Sequence, residues 1–258
     1  MNIGLDGKRV LVTAGASGIG LRIARVFIAE GARVEICDVD PVALAALGQS
    51  DPQIGAHVCD VSDRPTVERM MAAATGRLGG LDVLVNNAGI AGPTGPVDRI
   101  DPDAWDRTLA VNITGMFNVT RLAVAHLKAA GGGAIINLSS AAGRFGFPNR
   151  TPYSASKWGV VGFTKTLSME LGGAGIRVNA VLPGSVSGDR IEAVFAAKAR
   201  EAGVPHEQIR NAALASVSIK DLVSPERVAD FVAFIASPRG ANISGQAIGV
   251  DNDAQFLI

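Results

Sequence analysis

The 258-residue chain predicts an α/β fold: one doubly wound, mostly parallel sheet of about seven strands, with helices on both faces. Three observations carry that prediction. Short β-branched runs alternate with segments of helical period along almost the whole chain. Glycine supplies 31 of 258 residues, against a general usage of roughly 7%, yet shows no G-X-Y period, so it belongs to turns rather than to collagen or disorder. Finally, the first apolar run ends in a glycine cluster that opens into a helix and then a second strand, the pattern of a βαβ unit.

The elements follow in order. Lys8–Thr13 (KRVLVT) is a strand, GASGIG a turn, and Leu21–Ala29 a helix stopped by Gly31. Arg33–Cys37 (RVEIC) is the next strand and breaks at Asp38. Ala56–Cys59 reads as a strand, Thr66–Ala74 as a helix and Asp82–Val85 as a strand. Ala104–Ala130 reads as one long helix with DPDAW at its start. Ala134–Leu138 is a strand, Tyr153–Leu171 a helix and Arg177–Leu182 a strand. Ser224 caps a helix over Pro225–Ala236 with proline at its first position, and Gln246–Val250 closes as the last strand. This is a Rossmann-type pattern. No shift in composition divides it, which predicts a single domain over residues 1–258. The long connection Ser185–Val223, with an amphipathic helix from Arg190 to Glu201, follows a strand's carboxyl end and is expected to be a substrate lid.

Composition removes several functions. Lys and Arg total 24 and Asp and Glu 24, a balance that argues against nucleic acid as a partner. Two cysteines, Cys37 and Cys59, make no disulfide framework and suit a reducing cytoplasm. No run approaches the ~18 apolar residues of a membrane span, and the first ten residues contain no secretory signal. His57, His126 and His206 have no metal-ligand spacing among themselves or with the cysteines, so no metal is expected. The chain has one tyrosine, Tyr153, hence one candidate for any chemistry that needs a phenol.

The turn after the first strand is suited to a diphosphate. Gly15, Gly18 and Gly20, with Ser17 and Ile19 between them, let the backbone turn tightly at a helix N-terminus, where peptide N–H groups face an anion. Asp38 lies 18 residues beyond Gly20, where a carboxylate accepts both hydroxyls of an adenosine ribose and repels a 2′-phosphate. No Lys or Arg stands at Ala16, Ser17, Val39 or Asp40 to attract that phosphate. The expected cofactor is NAD.

With these residues in view, the chain resembles the short-chain dehydrogenase/reductase family from Leu5 to Val250. The family's TGxxxGxG appears as TAGASGIG (Thr13–Gly20), with Ala14 in the first glycine's place. CDV (Cys59–Val61), NNAG (Asn86–Gly89), VNITG (Val111–Gly115), LSS (Leu138–Ser140), YSASK (Tyr153–Lys157) and LPG (Leu182–Gly184) follow in order. The resemblance implies that Asp60 and Val61 flank the adenine, with the Asp60 carboxylate near its amino group. It implies that Asn87 and Gly89 border the riboses and that Pro183, Gly184 and Val186 back the nicotinamide. Asn86 is read instead as a tie between neighbouring strands that does not touch the cofactor. A threonine is common in the family five residues after the proline; here Gly188 stands there, with Ser185, Ser187 or backbone as substitutes.

The chemical end follows from the same likeness. Tyr153 and Lys157 are i and i+4, one turn apart on one helix face. A free phenol titrates near 10, and a neighbouring ammonium together with oxidised nicotinamide moves it toward neutral pH, where it acts as base or acid. The lysine also binds the nicotinamide ribose. Ser140, thirteen residues before Tyr153, would stabilise the substrate oxygen, with Ser139 the nearby alternative. Asn112 resembles the asparagine that holds a water beside the lysine; its other reading is a helix residue bonded to backbone. The implied reaction interconverts a secondary alcohol and a ketone.

Substrate candidates are Ser140, Phe147, Arg144, Arg150 and Arg190, with Phe145 and Phe195 as apolar walls; each arginine could equally be a solvated rim residue. Two rival readings use the same motifs. A 3-oxoacyl thioester reductase would prefer NADP or show a basic groove for a carrier protein. A non-catalytic NAD-binding regulator would lack the tyrosine or lysine. The long helices carry apolar residues on more than one face, and the tail ends in Phe256, Leu257 and Ile258. Both features predict a homotetramer or homodimer.

Overall fold

Residue alternation in the first strand decides both faces of the sheet. In the computed structural model, which describes residues 3–257, Val10 and Val12 of β1 (Arg9–Thr13) join one apolar core while Leu11 between them joins the other. All three are fully buried, as expected of a central parallel strand covered on both sides. The same alternation runs through β2 (Arg33–Asp38), where Ile36 and Cys37 point to opposite cores.

Seven parallel strands form one sheet in the order β3-β2-β1-β4-β5-β6-β7, with β3 at Gly55–Val58, β4 at Val83–Asn86, β5 at Gly133–Leu138, β6 at Ile176–Pro183 and β7 at Ala247–Val250. Helices α1 (Gly18–Ala29) and α2 (Pro41–Ser50) cover one face through Ile23, Phe27 and Leu47. Helix α3 (Arg64–Leu78) covers the other through Val67, Met70 and Met71. The order in which strands are added reverses at the parallel β1–β4 pair: β2 and β3 lie on one side of β1 and all later strands on the other. The connections after β1 and β4 therefore diverge and leave a crevice at the carboxyl edge.

The strand expectations hold to within a residue or two at each end. Two helices escaped the periodicity. Helix α2 is alanine-rich and its one valine, Val42, is exposed, so no apolar stripe marks it; its signal was Asp40, whose carboxylate accepts from the N–H groups of Val42 (2.9 Å) and Ala43 (3.2 Å). The long connection 185–223 holds α7 (Asp189–Ala202), close to its expected position, and also α8 (His206–Ala215). Its two ends meet in a parallel bridge between Val186 and Val223.

The single long helix expected over Ala104–Ala130 is a correction. It divides into α4 (Pro102–Leu109), a π-helical turn Ala110–Thr114 and α5 (Gly115–Ala129). Asn112 lies inside that turn with its side chain bonded to Ile90 on another segment, an interaction that helical period does not encode. Helix α6 (Thr151–Leu171) starts two residues before Tyr153, and α9 (Pro225–Ala236) matches its expected bounds. Among the described residues no helix is long and apolar enough to cross a membrane. Of the apolar tail, Phe256 is exposed, Leu257 is partly buried, and Ile258 lies outside the described residues.

Candidate active site

The carboxyl edge opens into a cleft of about 800 Å³ built from the residues that follow the first six strands, β1 to β6. At its β1 end the glycine turn is held from beneath. Thr13 Oγ1 accepts from the N–H groups of Asn87 (3.0 Å) and Ala88 (2.9 Å), and Asn87 Nδ2 donates to the carbonyls of Thr13 (3.0 Å) and Ala14 (2.9 Å). Asn87 thus ties the turns after β1 and β4 together while lining the cleft.

The glycines of the turn divide their work. Gly18 has φ +52° and no atom within 4 Å of where a Cβ would stand, so it leaves open space at the mouth of α1. A Cβ on Gly20 would lie 2.1 Å from the Ala14 carbonyl oxygen, so this glycine lets helix and turn touch. Gly15 packs against Ile36. Ser17, Gly18 and Ile19 line the cleft, whereas Gly15 and Gly20 shape the turn from behind. Bare backbone at a helix N-terminus, beside a carboxylate at the end of β2, fits a dinucleotide. That carboxylate is Asp38, which lines the cleft and accepts from the N–H groups of Ala16 (3.1 Å) and Asp40 (3.2 Å).

Asp60 and Val61 also line the cleft. Asp60 accepts from the N–H and hydroxyl of Ser62 (2.9 and 2.7 Å) and from Arg107 (2.8 Å), so its carboxylate is already well supplied with donors. Burial pushes its pKa up, but the bonds from Ser62 and Arg107 outweigh burial and leave it lowered. Gly89, Pro183, Gly184 and Val186 continue the lining.

At the far end of the cleft, α6 brings up Tyr153 and Lys157, and the end of β5 brings up Ser140. Lys157 is buried, its Nζ donates to the Leu138 carbonyl at 2.8 Å, and it stands 5.7 Å from the centre of the Tyr153 ring. Burial raises the Tyr153 pKa. Lys157, then Arg190, a hydrogen bond from Ser140 and finally Arg150 overcome that effect and leave the phenol below its ordinary value. Ser139 donates to the Lys157 carbonyl at 2.8 Å, which commits its hydroxyl to holding α6.

Asn112 is fully buried outside the cleft lining. Its amide oxygen accepts from Ile90 N–H (2.7 Å), and its nitrogen donates to the Ile90 carbonyl (3.0 Å) and to Ser156 Oγ (3.0 Å). The side chain therefore joins the turn after β4 to α6, one residue before Lys157. Asn86 reaches Thr120 and Asn137, the strand tie expected of it.

The substrate candidates separate. Phe147, Arg150 and Arg190 line the cleft. Arg144 does not: it is exposed, paired with Asp251 at 2.8 Å and stacked on Phe145. Phe195 is buried against His206 rather than facing the cleft. Gly188, in the place of the family's threonine, caps α7 with φ +135° and presents no hydroxyl. Arg22, Arg107 and Leu257 also line the cleft, and no sequence pattern pointed to them. Cys37 and Cys59 are both buried free thiols.

A doubly wound parallel sheet with a glycine turn at its switch point and a Ser–Tyr–Lys group across the cleft defines a dinucleotide-dependent oxidoreductase. Comparison with known proteins agrees. The family model for short chain dehydrogenase matches residues 8–199, and the chain belongs to that family. It is 37% identical to a 3-oxoacyl-acyl-carrier-protein reductase of Thermotoga maritima, across 96% of this chain and 97% of the relative. It is 38% identical to a cis-4-hydroxycyclohexanecarboxylate dehydrogenase of Sinomonas cyclohexanicum, across 93% and 94%. A crystal structure of a single-residue variant of actinorhodin polyketide ketoreductase with NADPH superimposes with a TM-score of 0.91 at 36% identity, covering 95% of this chain and 96% of that one.

Proposed function

We propose that this protein is an NAD-dependent dehydrogenase that interconverts a small secondary alcohol and its ketone. The observation that carries the reading is the convergence of Ser140, Tyr153 and Lys157 on one wall of the cleft. When bound, the nicotinamide supplies the acceptor or donor of the two-electron step. In oxidation, Tyr153 accepts the proton of the substrate hydroxyl, and in reduction it returns one to the carbonyl oxygen. Ser140 donates to that oxygen as negative charge develops on it. Lys157 holds the phenolate form down in energy and offers its remaining N–H donors to the ribose. Asn112 acts as a positioning residue that sets the height of α6 through Ser156. The lid over residues 185–223 closes on bound substrate and excludes water.

Asp38 supports NAD over NADP because a carboxylate at the end of β2 accepts ribose hydroxyls and repels a 2′-phosphate. Gly15, Ser17, Gly18, Ile19 and Gly20 form the diphosphate cradle, and Asp60, Val61, Asn87, Gly89, Pro183, Gly184 and Val186 complete the dinucleotide site. Exposed Phe117 on α5 and Trp158 and Met169 on α6 support assembly through these helices into a homodimer or homotetramer. Free cysteines are consistent with a cytoplasmic location.

A second reading, reduction of a 3-oxoacyl thioester, is favoured by the Thermotoga relative and by the NADPH in the ketoreductase crystal. One experiment separates the two. A panel of secondary alcohols and oxoacyl thioesters is assayed with NAD and with NADP. We expect alcohol turnover with NAD, and an Asp38→Ser variant that gains about 10- to 100-fold in NADP use relative to NAD. Strong NADP preference in the native enzyme, together with thioester reduction, would establish the rival.

A further inference from the structure

Among the described residues, Arg150 is a buried cation without a counterion. Its residue is only 2% exposed, and it stands at the start of α6, where the helix dipole offers a positive charge no relief. Nη1 donates to Thr94 Oγ1 and Nη2 to the Ala91 carbonyl, both at 2.7 Å, while Nε has no partner. All of these partners are neutral. Arginine stays protonated at working pH, so the charge persists on a residue that is almost wholly buried.

Two more cations converge on the same region. Arg190, which opens α7, lines the cleft and donates to the Gly89 carbonyl at 2.9 Å, spanning from lid to β4 turn. Lys198, two turns further along α7, is buried 4.3 Å from the centre of the Phe147 ring and donates to the Pro148 carbonyl at 3.4 Å. Burial, and after it Arg150, bring the Lys198 pKa down to about 8. Among the described residues, none of the three cations has an acidic partner within ion-pair distance. The other arginines near the cleft differ: Arg22, Arg107 and Arg144 pair with Glu226, Asp60 and Asp251. Asp189, the acid next to Arg190 in the chain, pairs with none of the three.

The unpaired charge sits beside the chemistry. The Arg150 guanidinium lies 5.4 Å from the Tyr153 ring centre and 5.7 Å from that of Phe147. From this arrangement we infer that the substrate is a short hydroxy acid (or, in reverse, an oxo acid) whose carboxylate binds to Arg150 and Arg190. The inference rests on the dehydrogenase reading and narrows it. The carboxylate supplies the missing counterion, and Arg150 fixes its position relative to the carbinol carbon that Tyr153 serves. Phe147 forms the apolar wall against the carbon chain. Lys198, behind Phe147, adds positive potential without reaching the ligand. Burial of Arg150 is what separates it from a solvated rim arginine.

The test uses the purified enzyme with NAD and two hydroxy acids, 3-hydroxybutyrate and cis-4-hydroxycyclohexanecarboxylate, each against its methyl ester. At least one acid should exceed its ester in kcat/KM by about 30-fold or more, mainly through KM, as a charged hydrogen-bond pair predicts. Arg190→Gln and Arg150→Met should each cut that ratio about 10-fold, by lowering acid turnover far more than ester turnover, and Arg150→Lys should restore part of it. Retained NAD affinity shows that each variant has folded. Esters turned over as well as acids, or variants that lower both alike, overturn the anion site and leave the dehydrogenase intact. Calorimetry with cyclohexanecarboxylate and its carboxamide gives a readout independent of turnover. Tighter binding of the acid without any turnover sustains the anion site and overturns the dehydrogenase; equal binding overturns the anion site.

Discussion

The ammonium of Lys157 stands 5.7 Å from the centre of the Tyr153 ring, and its one fixed acceptor is the Leu138 carbonyl at 2.8 Å. Strand β5 thus holds the cation against the phenol before any ligand arrives. Because the Tyr153 pKa lies below its ordinary value, alcohol oxidation should rise with pH through that lowered pKa as phenolate accumulates. Lys157→Met removes the principal lowering influence, so the rising limb should move to higher pH and the neutral-pH rate should fall by about 10²- to 10⁴-fold. Tyr153→Phe should abolish turnover and spare NAD binding. Absorbance titration of this single tyrosine measures the shift directly.

The glycine turn offers two opposite substitutions. Ala14 has φ +50°, a left-handed conformation in the place where the family carries glycine. Ala14→Gly removes that strain and should raise stability by up to about 1 kcal/mol, offset in part by the freer unfolded chain. Gly20→Ala places a methyl 2.1 Å from the Ala14 carbonyl oxygen, where backbone must move. It should cost about 1–3 kcal/mol and weaken NAD binding sharply. Melting temperature and NAD titration of both variants check the pair.

A buried polar ladder crosses the sheet beneath the site. Asn86 Nδ2 donates to Thr120 Oγ1 (3.0 Å) and Asn137 Oδ1 (2.9 Å), and Asn137 Nδ2 donates to Thr164 Oγ1 (2.9 Å). The ladder links α5, β4, β5 and α6 in the core. Asn137→Ala leaves groups on both sides without partners and should destabilise by about 2–4 kcal/mol, read by denaturant unfolding.

Arg9 and Asp82 lock the opening of β1 to that of β4, with bonds of 2.8 and 2.9 Å to the guanidinium. Burial raises the Asp82 pKa, but bonds from the Arg9 side chain and backbone outweigh it and leave the carboxyl lowered. The unfolded chain therefore binds more protons than the folded one. Stability from this pair is complete above the ordinary aspartate pKa of about 3.9 and is lost as pH falls through the lower folded value. Asp82→Asn should flatten that part of the acid-unfolding curve and cost about 1–3 kcal/mol at neutral pH.

Much of the molecule was readable in the chain because its signals are local. Period two in β1, the strand-to-glycine-to-helix order and the four-residue step from Tyr153 to Lys157 each act within a few residues of chain. Asn112 shows where local reading ends. Its partners, Ile90 and Ser156, lie 22 and 44 positions away, so its buried role and the π turn around it follow from packing. Arg144 and Arg150 make the same point more sharply. Six residues apart and chemically identical, they are equivalent in sequence, yet one is exposed on Asp251 and the other buried beside Tyr153 without a counterion.

The sequence by itself determined the sheet, the glycine turn, the acid after β2 and the step from Tyr153 to Lys157, since spacing along one strand or helix fixes direction. Tertiary structure alone decided which arginine is left unpaired among the described residues, which asparagine faces protein instead of cleft, and how the two ends of the connection 185–223 meet at Val186 and Val223. The physical reason is that burial and counterion pairing depend on what other elements bring near a side chain, and no residue carries that information alone.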